Sequence, residues 1–339
     1  MQDLKALLPA EIAKEITLLD LKPYRARQIF QWIHQRFARN FEAMNNLAKA
    51  ERELLKQHFF ISDLKLEKVR ISKDKTKKYL LRLTDDHFIE AALLLDEDRK
   101  TLCVSTQVGC PLNCAFCASG KLGFIRNLTA AEIISQIEFI NKEEGGLNNL
   151  VFMGMGEPFL NYENTLRAIR IINDREGLNI GARKISVSTS GIPDKIREFA
   201  EENLQVRLAL SLNAADNQLR SYLMPLNRKY SLPQVLLAID AYIKKTGRRV
   251  SFEYVLIKNI NDRDIDLIKL IAVCQKRDVQ VNLIPLNPHP GSVYQSSEKA
   301  GFFKKELQAA GINCGIRFRR GLDIEAACGQ LVFLKSSAK

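Results

Sequence analysis

Three cysteines, Cys110, Cys114 and Cys117, stand at C-x3-C-x2-C spacing in the stretch VSTQVGCPLNCAFCASGKLGF, with Phe116 just before the last. Three thiols this close point to a metal rather than to a disulfide framework. Two metals compete for them. Structural zinc takes four ligands, usually as two C-x2-C pairs. No second pair exists in the chain, Cys103 lies seven residues upstream on the preceding strand, and the four histidines are scattered. A [4Fe–4S] cluster held by three thiolates leaves one iron open, which suits chemistry at that iron. One strand–helix unit later, NLVFMGMGEPFLN carries Gly154-Met155-Gly156-Glu157-Pro158. Glycines there let backbone carbonyls approach a ligand closely, and Glu157 can accept from an ammonium.

The elements that must position these residues alternate in type. Apolar stretches LCVSTQV, NLVFMGM, KISVSTS, QVRLALSL, VSFEYVLI and VQVNLIP predict strands. Between them, TAAEIISQIEFINKE, NYENTLRAIRIIND, SLPQVLLAIDAYIKKT and DRDIDLIKLIAVCQKR carry helical periodicity. Such alternation predicts βαβ units and a parallel sheet, barrel-like or doubly wound, with ligands at the C-terminal strand ends. Those ends read QVGC, GMGEP, STSG, SLN and PLNP. A last strand pair is expected around NCGIRFRR and GQLVFL. Ahead of this region, residues 1–60 read as helical, with Phe30, Trp32 and Ile33 as a small core and Pro23 placed to start the second helix. KKYLLRLT and HFIEAALLL predict strands flanking the TDDH turn, with a boundary near Leu95.

The C-x3-C-x2-C loop after the first strand, followed by the Gly156-Glu157 turn, resembles the radical S-adenosylmethionine (SAM) superfamily. That resemblance implies a [4Fe–4S] cluster on Cys110, Cys114 and Cys117 whose open iron is chelated by SAM, and electron-driven cleavage of the sulfonium to a 5′-deoxyadenosyl radical. It also implies a SAM site formed by Gly156, Glu157, Ser188, Ser211, Leu212, Asn213 and Asn287. Cys103 in KTLCVSTQVGC and Cys328 in GLDIEAACGQL, together with GMGEPFLN and NLIPLNP, resemble the RlmN/Cfr family of RNA adenosine methyltransferases over nearly the whole chain. The implied fold is a partial (β/α)6 barrel over 96–339, an RNA-binding helical accessory domain over 1–60, and a β segment over 61–95 carrying Glu90.

The family's scheme explains two further cysteines. Adenine C2 and C8 are electron-poor carbons that cannot displace methyl from SAM, whereas a thiolate can. The resemblance makes Cys328 the acceptor of a methyl group from a first SAM. A second SAM then generates a carbon radical on that methyl, which adds to the base. Cys103 releases the product by attacking the Cys328 sulfur and forming a transient disulfide. Glu90, on an apolar strand where desolvation should raise its pKa, is the implied acceptor of the ring proton. The implied partners are 23S rRNA (adenosine 2503), tRNA (adenosine 37) and a reductase or flavodoxin-type electron donor, acting on a monomer. Pro158 after the glutamate and Ser190 before Gly191 fit the C2-methylating branch; the alternative is a C8 enzyme conferring antibiotic resistance. Asn213 stands where the family usually has His, and the turn after STSG is one residue short. Cys274, on the apolar face of LIKLIAVC, and Cys314 read as small buried side chains.

The bulk properties agree with this reading. A net charge of +12 suits a polyanionic partner. From Ile61 to Arg82 eight Lys/Arg face three acids, and from Lys299 to Arg320 six face one. RNA contact is expected on the 61–82 segment and on Arg25, Arg27, Arg36 and Arg39, mostly to phosphate. No apolar run reaches membrane-spanning length and the N-terminus lacks a signal-peptide pattern, so a cytoplasmic location is expected.

Overall fold

The computed structural model describes residues 1–96, 99–289, 291–317 and 319–331. Three helices open the chain: α1 (Pro9–Thr17), α2 (Arg25–His34) and α3 (Lys49–His58). Proline at N1 and the Glu11 carboxylate, which accepts from the Leu8 N–H at 2.8 Å, start α1 where free N–H groups need partners. Ile12, Ile16, Ile29, Phe30 and Ile33 recur at helical spacing and are buried together. Trp32 is only half-buried; it lies under the Arg36 guanidinium at 4.3 Å and donates to Asn46 Oδ1 at 2.6 Å.

Among the described residues the main sheet has ten strands whose spatial order follows the chain: β1 (Lys65–Ile71), β2 (Lys77–Arg82), β3 (Phe88–Leu95), β4 (Lys100–Cys103), β5 (Asn149–Phe152), β6 (Ile185–Thr189), β7 (Arg207–Ser211), β8 (Val250–Leu256), β9 (Val279–Pro285) and β10 (Asn313–Ile316). Strands β1 to β4 pair antiparallel and β4 to β10 parallel. The 65–95 strands therefore extend the barrel sheet itself, with Ala92 opposite Cys103.

Helices α4 (Ala130–Glu143), α5 (Tyr162–Asn173), α6 (Pro193–Glu201), α7 (Asn217–Leu223), α8 (Leu232–Thr246), α9 (Asp264–Cys274) and α10 (Ala300–Ala309) return the chain between parallel strands. This makes six strand–helix units, closed by β10. Thr129 and Glu132 form a reciprocal capping box at the start of α4. Residues from β3 through β10 line one cavity of about 1530 Å³, so the sheet curves around it as a partial barrel. The accessory helices are fastened to this barrel by a buried cluster. Glu138 of α4 meets His34 Nδ1 at 2.6 Å and Lys5 Nζ at 3.2 Å.

Two expectations need correction. The LCVSTQV strand stops at Cys103, because the chain turns to place Thr106 and Gln107 N–H on the Met155 carbonyl, and only Gln107–Gly109 resumes in a small separate pair with Phe124–Asn127. NCGIRFRR gives a strand only over Asn313–Ile316, which adds parallel to β9, and none of the described residues of GQLVFL is in a strand. Gly329 and Leu331 instead give their carbonyls to Ala118 N–H and Ser119 Oγ, and residues 332–334 lie outside the described part. Among the described residues no helix is long and apolar enough to cross a membrane.

Candidate active site

The cysteine loop hangs from the C-terminal edge of the barrel. Gly109 enters it at φ +76°, where a Cβ would sit 1.8 Å from the Gly123 carbonyl oxygen, so only glycine fits. Cys117 N–H bonds Cys114 O at 3.1 Å, and Ala115 N–H reaches Leu223 O at 2.9 Å. All seven cysteines are free thiols. Burial pushes the Cys110 thiol up to about 12, helped by Cys117 and Glu157 and opposed by the N–H groups of Leu112 and Gly156 at its sulfur. Burial also drives Cys114 well above the ordinary thiol range, with Cys117 and Cys110 adding to it and Arg220 opposing.

Two thiols raised by burial and by their neighbouring sulfurs, Cys110 with N–H groups of Leu112 and Gly156 aimed at it, become thiolates readily only against a metal group. Among the described residues no three His, Cys, Asp or Glu side chains converge on a single ion-sized point. A cluster presents its irons at separate corners, so its thiolates need not converge. This donor set fits a [4Fe–4S] group held by Cys110, Cys114 and Cys117.

The strand ends beside the loop hold the expected SAM residues. Gly156 lies at φ +100°, and a Cβ there would strike the Gln107 side chain at 2.6 Å. Glu157 is buried; its oxygens accept from Phe159 N–H at 3.0 Å and Ser190 N–H at 2.8 Å, and burial raises its carboxyl against those two bonds. Ser188 and Ser211 pair their hydroxyls at 3.3 Å across β6 and β7. Asn287 borders the cavity with its Oδ1 buried and unpartnered among the described residues, an acceptor waiting for a donor.

Asn213 departs from expectation. Its Oδ1 accepts from Val255 N–H at 3.0 Å, its Nδ2 faces Met224 Sδ at 3.3 Å, and its backbone is left-handed at φ 56°. The side chain braces the turn instead of offering a free polar atom. Leu212 is buried, and its carbonyl accepts from Arg220 at 3.0 Å.

The cavity wall brings Cys103, Cys117 and Cys328 together. Burial and then the nearby Cys328 push the Cys103 thiol up to about 12, while Met153 N–H and Arg317 oppose. Cys328 is exposed to the cavity, yet protein surrounds the sulfur closely enough that burial raises its thiol, against the pull of Arg317. Arg317 is held by Glu253 through two parallel bonds of 3.0 Å, and Asn282 donates to the same carboxylate at 2.8 Å.

Glu90 lies on β3 with the side-chain parity of Ala92 and Leu94, which line the cavity. It forms a buried ion pair with Lys78 at 3.0 Å, so its environment is less apolar than its strand suggests. Cys274 and Cys314 are buried, as their apolar setting implies.

Two residues of this region escaped the sequence reading. Arg220 is fully buried and donates to the carbonyls of Leu212, Ser190 (2.5 Å) and Ser211 (3.1 Å) and to Asn227 Oδ1 (2.8 Å). It thereby ties together the ends of β6 and β7. Arg317 is the other, hidden within the basic run before Arg320.

Cluster-type thiols at the C-terminal end of a partial barrel define a radical-SAM enzyme, and the Radical SAM superfamily model matches residues 104–271. Residues 2–61 match the ribosomal RNA large subunit methyltransferase N-terminal domain. The chain is 50% identical over 334 residues to the probable dual-specificity RNA methyltransferase RlmN of Thermotoga maritima, covering 98% of this chain and 97% of that one. The corresponding protein of Dictyoglomus thermophilum is 46% identical, with 93% of each chain covered. A radical SAM methyltransferase from Sphaerobacter thermophilus has a crystal structure that superposes with a TM-score of 0.93 at 43% identity, over 98% of this chain and 99% of that one. The chain belongs to the RlmN family of radical-SAM RNA methyltransferases. Its cofactors are a [4Fe–4S] cluster and SAM, two molecules of the latter per turnover.

Proposed function

We propose that this enzyme methylates C2 of adenosine in RNA, at adenosine 2503 of 23S rRNA and adenosine 37 of tRNA, through an S-methylcysteine on Cys328. The observation that carries the reading is the single cavity wall shared by Cys103, Cys117 and Cys328. When bound, the cluster and SAM supply the methyl group and a one-electron route to carbon chemistry. Cys110, Cys114 and Cys117 hold the cluster. Gly156, Glu157, Ser188, Ser211, Leu212 and Asn287 border SAM, with Asn213 shaping the turn beneath it. Cys328 bears the one-carbon unit, and Cys103 attacks the Cys328 sulfur to free the product. Glu90 accepts the ring proton.

In this scheme residues 1–60 are an RNA-binding accessory domain, 61–95 carry Glu90 and 96–339 form the catalytic barrel. The enzyme works in the cytoplasm as a monomer and draws electrons from a flavodoxin-type donor. Arg25, Arg27 and Arg39 lie in ion pairs with Glu51, Glu176 and Asp63. In the Arg27 and Arg39 pairs the arginine side chain is exposed, and such pairs are weak enough to yield to phosphate. Pro158 and Ser190 favour C2 over C8.

The test is to reconstitute the protein without oxygen, supply reductant, SAM and unmodified rRNA fragments or tRNA, and digest the RNA. The expected product is 2-methyladenosine. Finding 8-methyladenosine would move the enzyme to the other branch, and finding neither would end the proposal.

A further inference from the structure

The cavity that holds the thiols differs in character at its two ends. Its lining runs down the strands to their first residues: Lys100 opens β4, Lys184 stands just ahead of β6, and Arg207 opens β7. Arg319 and Arg320, after β10, join them. Among the described residues, eight Lys/Arg line the cavity against two carboxylates, Asp96 and Glu253. Some of these cations are engaged: Arg320 and Arg99 share Asp96, Lys100 bonds the Glu144 carbonyl, and Arg319 bonds Ser296 Oγ. Lys184 and Arg207 are exposed and make no ion pair among the described residues.

The opposite end is closed. Residues 326–331 cross the C-terminal strand ends and are stitched down on both sides. Gly329 O accepts from Ala118 N–H at 2.8 Å, and Leu331 O accepts from Ser119 Oγ at 2.5 Å. Asn287 Nδ2 reaches Cys328 O at 3.4 Å, and Gln330 Nε2 reaches Pro288 O at 2.7 Å. Ala326, Ala327, Gln330 and Leu331 are buried in this cover.

A cavity whose described residues cover the reactive sulfurs at one end, and whose other end carries the exposed Lys184 and Arg207, suits a polyanion approaching from the basic side. From Lys100 to Cys103 is three strand residues, about 10 Å. A single nucleotide turned out of its stack can cover that distance, while a duplex cannot enter the barrel. We infer that the RNA docks at the N-terminal mouth of the barrel, with phosphates on Lys184 and Arg207, and sends one extruded adenosine up the cavity toward Cys328. This inference rests on the RNA-methylation reading but places the substrate at the end of the barrel opposite the cluster. The β1 edge, where the basic run of residues 61–82 begins, then plays the lesser part.

The experiment compares reconstituted holoenzymes. One carries Lys184→Glu with Arg207→Glu, a second the neutral pair Lys184→Gln with Arg207→Gln, and a third Lys65→Glu with Lys68→Glu on exposed β1. Each is titrated against a labelled RNA hairpin with adenosine in its loop at several salt concentrations. The first pair should lose at least tenfold in affinity. The neutral pair should lose less, with its salt slope shallower by about 1.4–1.8 for two lost phosphate contacts.

Methylation of Cys328 by SAM without RNA, read by mass spectrometry, should be unchanged in all three. Unchanged affinity and slope in both 184/207 variants overturns the inference, as does an equal or larger loss in the β1 variant. If the charge reversal fails to fold, the neutral pair decides alone. A wild-type enzyme whose RNA binding depends on Lys184 and Arg207, but which methylates no adenine, leaves the docking route standing and sinks the proposed function instead.

Discussion

Replacing Glu90 by Gln separates its proposed job, accepting the ring proton, from the one the structure shows, pairing with Lys78. Glu90 meets Lys78 at 3.0 Å with both side chains buried, and Lys78 Nζ also donates to the Glu325 carbonyl at 3.1 Å. Removing the carboxylate charge leaves a buried ammonium without its counter-ion, a change that costs about 3–5 kcal/mol. Lys78→Met combined with Glu90→Gln removes both charges, and exchanges of that kind are typically neutral or stabilising. If Glu90 were only a counter-ion, the double variant would recover activity along with stability. As the acceptor of the ring proton it contributes a further factor of about 10²–10⁴ in rate, which no change at Lys78 restores. The assay pairs urea unfolding of the reconstituted proteins with single-turnover formation of methyladenosine at a temperature where every variant is folded. Loss of stability in Glu90→Gln alone, with loss of methylation in both variants, is the expected pattern. A double variant that methylates at the wild-type rate refutes the base assignment.

Cys103→Ala should leave protein covalently joined to RNA on a denaturing gel, and a variant that turns over freely removes the disulfide step. Cys103 also has a pH signature. Its folded pKa is raised to about 12 from the ordinary 9.0, so the stability it contributes is intact below about pH 9. Above that the unfolded chain ionises first, and stability falls by up to about 1.4 kcal/mol per pH unit until pH 12. Urea midpoints across this alkaline range should fall less steeply in Cys103→Ala than in wild type. Arg220→Met strands three carbonyls and Asn227 Oδ1; with part of the loss returned by removing a desolvated charge, the net cost is on the order of 3 kcal/mol. The cost should be larger in the cluster-loaded protein than in the metal-free one, because an anionic cluster and Glu157 then lose their common cation. Equal costs would show that Arg220 is structural bracing alone.

Most of the barrel was legible because parallel strands buried on both faces are continuous apolar runs, and VSFEYVLI and VQVNLIP became β8 and β9 with little error. The cysteine loop and GMGEP marked the family because their spacing is local, and the Radical SAM superfamily match spans both. Where the sequence misled, a distant partner decided. Nothing within GQLVFL says that the carbonyls of Gly329 and Leu331 will meet Ala118 and Ser119 some two hundred residues earlier in the chain. Asn213 looked like a free polar ligand until Val255 and Met224, from another strand and another helix end, claimed its amide. Arg220 and Arg317 carried no signal either. An arginine in a helix or a basic run ordinarily means a solvated face, and only the fold shows which one is walled in.

Arg317 shows what such a walled-in charge does to the chemistry. In the proposed mechanism Cys328 and Cys103 both become thiolates, at different moments, and burial opposes each of them. A single guanidinium, fixed in orientation by Glu253 and Asn282, favours ionisation of either sulfur. A charge on Cys328 raises the Cys103 thiol further, so one cation serves one thiolate at a time. Once Cys328 carries a carbon substituent its charge is gone, and the same guanidinium is left to favour Cys103. In the proposed scheme this arrangement favours methyl transfer to Cys328 before attack by Cys103.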